Sequence, residues 1–275
     1  MNNMKQIQSE RCDGVFTLRI NRPEKRNALN LAMYQSLADG IREADGDDTV
    51  RVILISGGDN CFTSGNDLAD FLSVPPARAE SPFMEADFIS VPPIEPESPV
   101  MQFLIAISTA RKPIVAAVGG LAVGIGVTML LHCDLVYAGN GATFQMPFVN
   151  LGLCPEAGST LLLPMIMGHQ RAAELLLLGE VFGAEKACAV GVVTAVCPDG
   201  EVLATARNRA LQLAAQPAAA VRLAKKLLKR DYAVPLRETM AEEVKQFTTR
   251  LKSPEAAEAL QAFMERRKPD FSRFN

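Results

Sequence analysis

One glutamate in the middle of the chain stands out because no other charge surrounds it. Glu156 is the only Asp, Glu, Lys or Arg between residues 135 and 169 of the 275-residue sequence. A carboxylate in apolar surroundings has a raised pKa, because burial disfavours its charged form, and such a group suits general acid or base work. The alternative is a loop glutamate that points to water or starts a helix after Pro155. Asp134 is similarly isolated but directly precedes an apolar run, which favours a structural hydrogen-bonding role.

Two glycine-containing segments could supply backbone N–H donors to the same chemistry. Residues 62–68 (FTSGNDL) and 120–128 (GLAVGIGVT) each follow an apolar run typical of a buried strand. In both, we expect a tight turn and then a helix, whose first amides have no internal partner and lie at the positive end of the helix dipole. Two such amides converging on one point would bind a developing oxyanion. The alternative is a glycine turn that merely joins strand to helix.

The elements that must position these residues alternate between strand and helix. Apolar runs predict strands at residues 15–20, 50–56, 114–118 and 135–138, and the helical period predicts a helix at 31–44. This alternation indicates an α/β fold. Repeated prolines in residues 71–102 predict a long surface segment, either a lid or a solvated insertion.

The last quarter of the chain has a different pattern. After residue 201 the strand signals cease, and helices are predicted at 204–215, 218–229, 236–251 and 255–267. Ser253 and Pro254 are typical of the N-cap and first turn of the last helix. The basic residues 225, 226, 229 and 230 are expected to form a solvated helix face.

Composition excludes several classes of protein. The chain is 48% hydrophobic and 21% charged, with a net charge of −3, which argues against a disordered chain, a disulfide scaffold, a nucleic-acid-binding protein or a membrane-surface protein. The six cysteines form no C-x-x-C pair and only two histidines occur, so no metal site is expected. Scattered cysteines without a signal peptide favour a cytoplasmic protein.

One uncharged run, residues 114–131, has the 18 residues at which a membrane-spanning helix becomes a candidate. Glycines at 119, 120, 124 and 126 break this run, and each lowers helix propensity by roughly 1 kcal/mol relative to alanine. We interpret it as a buried strand, a glycine turn and the start of a buried helix, which together form the dry wall of a site. No membrane insertion is expected.

Five segments, in this order and spacing, resemble motifs of the crotonase, or enoyl-CoA hydratase/isomerase, superfamily. Residues 22–30 (RPEKRNALN), 64–68 (SGNDL) and 120–126 (GLAVGIG) resemble the family's three best-marked motifs, and residues 133–138 and 185–193 also match. The resemblance covers residues 15–271. It implies an α/β crotonase-like spiral of ββα units over residues 1–200, with a helical C-terminal trimerisation region over 201–275. A homotrimer or a hexamer, formed as a dimer of trimers, is therefore expected.

The resemblance also implies a ligand, an acyl-CoA thioester, whose oxyanion the backbone N–H groups of Asn66 and Ile125 would bind. Contacts to CoA or substrate fall on eight residues: Lys25, Ala28, Ser64, Gly65, Asp67, Leu68, Lys268 and Phe271. For Lys25, Lys268 and Phe271 the alternative is an ordinary surface role. Neither a metal nor a redox cofactor is implied, because CoA is part of the substrate.

Departures from the family pattern indicate which reaction to expect. Typical hydratases use two glutamates to activate water, and those positions hold Thr128 and Phe148 here. The subgroup of Δ3,Δ2-enoyl-CoA isomerases uses one glutamate in a P-E-G-like motif, which falls on Glu156. The expected activity is isomerisation with Glu156 as the proton shuttle. A hydratase with altered residues, a thioester hydrolase and an acyl-CoA-binding protein without turnover remain alternatives.

Overall fold

The structure is a computed structural model that describes residues 6–67 and 98–274. Leu68 and most of the proline-rich segment 71–102 therefore lie outside the described residues. The end of that segment differs from the expectation of an irregular loop, because a helix begins at Pro99 with Ser98 as its N-cap. Proline at the first helical position costs no hydrogen bond, so a proline there starts a helix rather than ending one.

Ten strands are described, and they fall into two sheets. They are β1 (Ile7–Cys12), β2 (Val15–Ile20), β3 (Val52–Ser56), β4 (Cys61–Thr63), β5 (Ile114–Val118), β6 (Leu121–Val123), β7 (Leu135–Gly139), β8 (Thr143–Gln145), β9 (Phe182–Gly183) and β10 (Ala195–Cys197). The larger sheet has the order β1-β2-β3-β5-β7-β10, and the smaller sheet has the order β4-β6-β8-β9. All neighbours are parallel except the pairs β1–β2 and β8–β9.

Each parallel strand of the larger sheet from β3 to β7 is followed directly by a strand of the smaller sheet. The same two-strand unit, one strand in each sheet, therefore repeats as β3–β4, β5–β6 and β7–β8. This repeat confirms the crotonase-like α/β arrangement. Strands β3 and β5 are buried at every residue, as expected for apolar strands covered on both faces. The sequence predicted β2, β3, β5 and β7, but not β1, β10 or the short strands of the smaller sheet.

The helices are α1 (Leu31–Gly46), α2 (Pro99–Thr109), α3 (Ile125–Thr128), α4 (Ser159–Met167), α5 (His169–Ala173), α6 (Ala184–Ala189), α7 (Val202–Ala214), α8 (Ala218–Lys229), α9 (Ala233–Leu251) and α10 (Pro254–Met264). The four C-terminal helices match the predicted ones within three residues at each end. Ser253 caps α10 by accepting a hydrogen bond from the backbone N–H of Ala256, as predicted.

Only part of the basic cluster at the end of α8 is the solvated face that the sequence suggested: Lys226 and Arg230 are exposed, whereas Lys225 and Lys229 are not. Lys225 is buried, and its Nζ lies 2.7 Å from both the backbone oxygen of Lys112 and Oδ2 of Asp134. Lys229 donates to the backbone oxygen of His132 at 3.3 Å. The prediction was wrong for Lys225 and Lys229, because a lysine run gives no sign of a carboxylate partner 91 residues away. Asp134 has the structural role expected of it, since it also accepts from the backbone N–H of Ile114.

The uncharged run 114–131 forms β5, a glycine turn, β6 and α3, so the expected strand, turn and helix are joined by one extra short strand. Gly120 is required at the turn, because its φ is +60° and an added Cβ would lie 2.0 Å from the backbone oxygen of Asn60. None of the helices in the two described stretches is both long and apolar enough to cross a membrane.

Candidate active site

A cavity of about 660 Å³ lies where the two glycine-containing segments meet. Residues 64–67 and the β6–α3 segment form one side of it, and the C-terminal helices α9 and α10 form the other. Its wall includes Arg26, Ala28, Ser64, Gly65, Asn66, Asp67, Leu121, Val123, Gly124, Ile125, Gln145, Pro147, Phe148, Leu151, Leu153, Phe247, Leu251, Ala256, Leu260 and Phe263. Apolar side chains predominate in this wall, as in sites that bind organic ligands.

The segment that carries Asn66 is fixed against its neighbours by backbone contacts. Gly65 has a φ of +93°, and a Cβ there would lie 3.0 Å from the backbone oxygen of Val123. Its oxygen accepts from the N–H of Leu29 at 2.8 Å, and Asp67 N–H donates to the oxygen of Leu29 at 2.9 Å. These contacts bring Asn66 beside the β6–α3 turn. Within the described residues, the Asn66 N–H donates no backbone hydrogen bond.

Ile125 faces the same cavity from the opposite segment. It is the first residue of α3, after Gly124 with a φ of +56°, and so its N–H has no acceptor inside the helix. Val127 and Thr128 use the preceding oxygen of Gly124, at 2.8 and 3.0 Å. The structure therefore brings Asn66 and Ile125 to one cavity wall, with backbone N–H groups that no described acceptor takes up.

Arg22 and Asp67 form an ion pair next to this wall. Arg22 Nη1 lies 2.6 Å from Oδ2 of Asp67 and donates to the backbone oxygen of Ala28 at 3.0 Å. Both side chains are less than one sixth exposed. The pair ties residues 22–30 to the Asn66 segment, and it commits the one carboxylate in the cavity wall to a structural partner.

Glu156 is buried, with 9% of its surface exposed, so the alternative of a glutamate that points to water is wrong. The hydroxyl of Thr128, at the end of α3, donates to its Oε1. Burial raises the pKa of Glu156 to about 8, the Thr128 hydrogen bond opposes that rise, and the nearby charge of Glu243 adds to it. A carboxyl with this pKa can both accept and return a proton near neutral pH.

Glu156 is not part of the cavity wall formed by the described residues. Its carboxylate lies behind that wall, attached to α3 through Thr128, one helical turn from Gly124 and Ile125. Leu153, three residues before it, does line the cavity. The same short helix α3 thus contains Ile125 at its start and, at its end, Thr128, which donates to Glu156.

Two buried side chains hold the residues that follow Glu156, here called the Glu156 turn (residues 156–160). His132 Nε2 lies 2.8 Å from the backbone oxygen of Ala157; since that oxygen can only accept, Nε2 carries the proton. Burial lowers the pKa of His132 to about 4, so the ring is neutral. Glu243 accepts hydrogen bonds from the other side of the turn. The sequence analysis identified neither residue, because nothing local marks a histidine or a helical glutamate as buried.

The residues predicted to contact CoA or substrate are divided. Ala28, Ser64, Gly65 and Asp67 line the cavity. Lys25 and Lys268 are exposed, Phe271 is half-buried, and none of these three belongs to the cavity wall. The sequence analysis also missed Arg26 and the apolar contribution of the C-terminal helices. Phe247, Leu251, Leu260 and Phe263 have helical spacings that predict only a buried face, with no sign of what it faces.

The positions of the possible metal ligands bear on metal binding. Over residues 6–67 and 98–274, no group of three or more His, Cys, Asp or Glu side chains is placed to hold a metal ion. The cysteines in these ranges are free thiols.

Comparison of this chain with known proteins points to one family. Residues 10–273 match the family model described as enoyl-CoA hydratase/isomerase. Human enoyl-CoA delta isomerase 2 is 34% identical over 255 residues, which cover 93% of this chain and 62% of that protein. The 2,3-dehydroadipyl-CoA hydratase of Escherichia coli K12 is 31% identical over 268 residues, with 98% and 99% of the two chains covered. The chain thus spans less than two thirds of the human relative and almost all of the bacterial one.

A solved structure from Pseudomonas aeruginosa, OdaA, has the same fold. It is 48% identical to this chain and superposes with a TM-score of 0.86, covering 95% of this chain and 99% of its own.

Proposed function

Because the chain belongs to the enoyl-CoA hydratase/isomerase family, we propose that it is a Δ3,Δ2-enoyl-CoA isomerase in which Glu156 moves a proton from C2 to C4. The observation that supports this proposal is the buried carboxyl of Glu156, whose pKa is raised to about 8 beside the helix that begins at Ile125. The similarity to a human protein named enoyl-CoA delta isomerase supports the same choice.

The proposed reaction uses one base and two backbone donors. The Glu156 carboxylate takes a proton from C2 of a 3-enoyl-CoA, and the electron pair of that C–H bond forms a dienolate whose negative charge lies on the thioester oxygen. The N–H groups of Asn66 and Ile125 bind that oxygen, each being worth roughly 10²–10³ in rate. Glu156 then returns its proton to C4, and the double bond ends between C2 and C3.

Water addition competes with this reaction in the same family, and the cavity disfavours it. Hydration needs a second carboxylate to activate water, and the position that the family resemblance assigns to it holds Phe148, which is buried and lines the cavity. Asp67, the acid of the described wall, is paired with Arg22. The proposed chemistry needs only proton transfer, so CoA enters as part of the substrate and no metal or redox cofactor takes part.

The remaining contacts are part of the same proposal. Ala28, Ser64, Gly65 and Asp67 contact the thioester side of the acyl-CoA, and Lys25, Leu68, Lys268 and Phe271 contact the rest of CoA. Lys25 and Lys268 are exposed cations, as phosphate recognition requires.

We also propose that the chain forms a homotrimer or a dimer of trimers. The support is an apolar stripe on α8, where Leu223, Leu227 and Leu228 are 56%, 53% and 78% exposed. Light scattering coupled to size-exclusion chromatography should give a mass of three or six chains, and a monomer at micromolar concentration would contradict the assembly.

The isomerase proposal is tested with a 3-enoyl-CoA and a 2-enoyl-CoA as parallel substrates. We expect isomerisation of the first and no significant hydration of the second. Glu156→Gln should lose most activity while still binding acyl-CoA, and Glu180→Gln, a change at an exposed position, should behave as wild type. If 3-hydroxyacyl-CoA is the main product, the enzyme is a hydratase and the proposal is wrong.

A further inference from the structure

A glutamate from the C-terminal helical region lies at the start of α4, the helix that follows Glu156. The cap residue of α4 is Gly158, which has no side chain to accept from the first free N–H groups. Glu243 of α9 takes that place from 85 residues away: its Oε2 accepts from Gly158 N–H at 2.5 Å. Its Oε1 accepts from the N–H and the hydroxyl of Thr160, at 3.0 and 2.5 Å.

These bonds hold a turn that does not form readily by itself. Ala157 and Gly158 both have positive φ, +60° and +73°, and a left-handed conformation is unfavourable for alanine. Within the turn, Ser159 N–H donates to the oxygen of Glu156 at 3.1 Å. The direction of the Glu156 side chain therefore depends on what fixes the next four residues.

One face of α9 joins this turn to the cavity. An added Cβ at Gly158 would lie 2.2 Å from Leu236 and 3.4 Å from Met240, so α9 packs closely on the turn. Glu243 follows on the same buried face, and then Phe247 and Leu251, which line the cavity. A movement of α9 would reach both the substrate cavity and the Glu156 turn.

We propose that Glu243 is a positioning residue for Glu156: its carboxylate fixes the Glu156 turn through its hydrogen bonds to Gly158 and Thr160. This inference rests on the proposed function, in which Glu156 is the proton shuttle. Burial raises the pKa of Glu243, and the three hydrogen bonds that it accepts oppose that rise because each favours its charged form. Where Glu243 is ionised, its charge adds to the raised pKa of Glu156. Two like charges then lie close together in a buried region, where each disfavours ionisation of the other.

Other polar and charged groups around the Glu156 turn and its supports belong to four helices and two flanking segments. They are Thr128 on α3, His132 and Cys154 on the flanking segments, Thr160 on α4, Lys225 and Lys229 on α8, and Arg250 on α9. His132 is neutral, with its pKa lowered to about 4 by burial. Burial also raises the pKa of Cys154 to about 11, and Arg250 Nε donates to the oxygen of Gly152. Glu243 is therefore the negative charge acting on Glu156 that a substitution can remove selectively.

The test is Glu243→Gln, which keeps the size of the side chain and removes its charge. We expect the pH midpoint of kcat/KM to fall by about one pH unit, the lower end of the shift that a nearby like charge produces. We also expect kcat to fall several-fold with KM little changed. The glutamine side chain has one acceptor oxygen, whereas both carboxylate oxygens of Glu243 accept hydrogen bonds from the Glu156 turn. Glu242→Gln is the matched control: it is exposed, one residue earlier on the same helix, and should change neither quantity.

The titration of Glu156 is also measured directly, by ¹³C NMR of its carboxyl carbon with Glu156→Gln for assignment. A lower midpoint in Glu243→Gln supports the positioning role even if the enzyme is not an isomerase, so the two proposals can fail separately. An unchanged midpoint in both measurements would overturn the inference. If Glu243→Gln does not fold, Thr160→Val removes one donor to Glu243 and must lower kcat several-fold at unchanged KM; wild-type kcat in that variant would also overturn it.

Discussion

The hydroxyl of Thr128 donates a hydrogen bond to Oε1 of Glu156, although 28 residues separate them in the chain. Thr128 also ends the short helix whose first residue, Ile125, faces the cavity. One helix thus connects the proposed proton shuttle with one of the proposed oxyanion donors, and it fixes the distance between them.

Removing this hydroxyl should impair Glu156 as a base. In Thr128→Val the ionised carboxylate loses a donor, so the pKa of Glu156 should rise further. Since hydrogen bonds to charged groups contribute about 1.5–3 kcal/mol, kcat/KM at pH 7 should fall at least about tenfold. Steady-state kinetics at several pH values measures both changes. Thr128→Ser keeps the hydroxyl and serves as control; equal activity of the Val and Ser variants would show that the bond is not used.

The raised pKa of Glu156 predicts the pH dependence of the wild-type enzyme. Glu156 must be ionised to take a proton, so kcat/KM should rise about tenfold per pH unit and level off above a midpoint of about 8. Binding of a saturated acyl-CoA, measured over the same range, separates chemistry from binding. A midpoint near 4.5, the ordinary value, would contradict the buried carboxylate.

The raised pKa of Glu156 also makes the stability of the fold depend on pH, and stability changes in the direction opposite to activity. The native state binds the Glu156 proton more tightly than the unfolded chain does, so this contribution is fully present below pH 4.5 and is lost as the pH rises through about 8. The enzyme should therefore gain activity and lose stability over the same pH interval.

A substitution at Gly65 should show how strongly the rate depends on the position of the Asn66 N–H. Gly65→Ala forces a Cβ to 3.0 Å from the oxygen of Val123 at a φ of +93°, which should displace the next residue, Asn66. Loss of one oxyanion donor lowers kcat by roughly 10²–10³. Gly46→Ala is the control, since nothing lies within 4 Å of its added Cβ. Single-turnover rates measure the effect, and wild-type rates in Gly65→Ala would argue against Asn66 as a donor.

Substitution of Lys225 should lower the free energy of unfolding rather than the catalytic rate. Lys225→Met leaves Asp134, whose side chain is 24% exposed, without its cation, and loss of this charged hydrogen bond should cost about 1.5–3 kcal/mol. Urea unfolding of this variant and of the exposed neighbour Lys226→Met compares the two sites. Equal stabilities would show that the Lys225–Asp134 pair does not stabilise the fold.

The sequence predicted best those features that depend on neighbouring residues alone. The strands at Val52–Ser56 and Ile114–Val118 are apolar runs long enough to show their burial. The strands Leu121–Val123 and Thr143–Gln145 are three residues each, too short for a period to appear. Ile7–Cys12 is an edge strand with mostly polar residues, and its pairing comes from the Asp13-Gly14 turn.

Within the site, the isolation of Glu156 from other charges indicated a buried carboxyl as one of two alternatives, and the structure agrees with that one. The residues that hold it could not be predicted, because their role depends on distant contacts. Glu243 looks like any glutamate of an amphipathic helix, and only its position against Gly158 and Thr160 distinguishes it from Glu242. Lys225 was misassigned for the same reason, since its partner Asp134 belongs to another layer of the fold.

The central claim, a single carboxylate that carries one proton between two carbons, is tested most directly by isotope transfer. A 3-enoyl-CoA with both C2 hydrogens replaced by deuterium is converted in a single turnover in H₂O, and the product is analysed by mass spectrometry and NMR. Glu156 is almost fully buried, so the account predicts that the deuterium removed from C2 is found at C4 in a substantial fraction of the product, and that Glu156→Gln forms almost none. A product with no deuterium at C4, formed at the wild-type rate by Glu156→Gln, would contradict it.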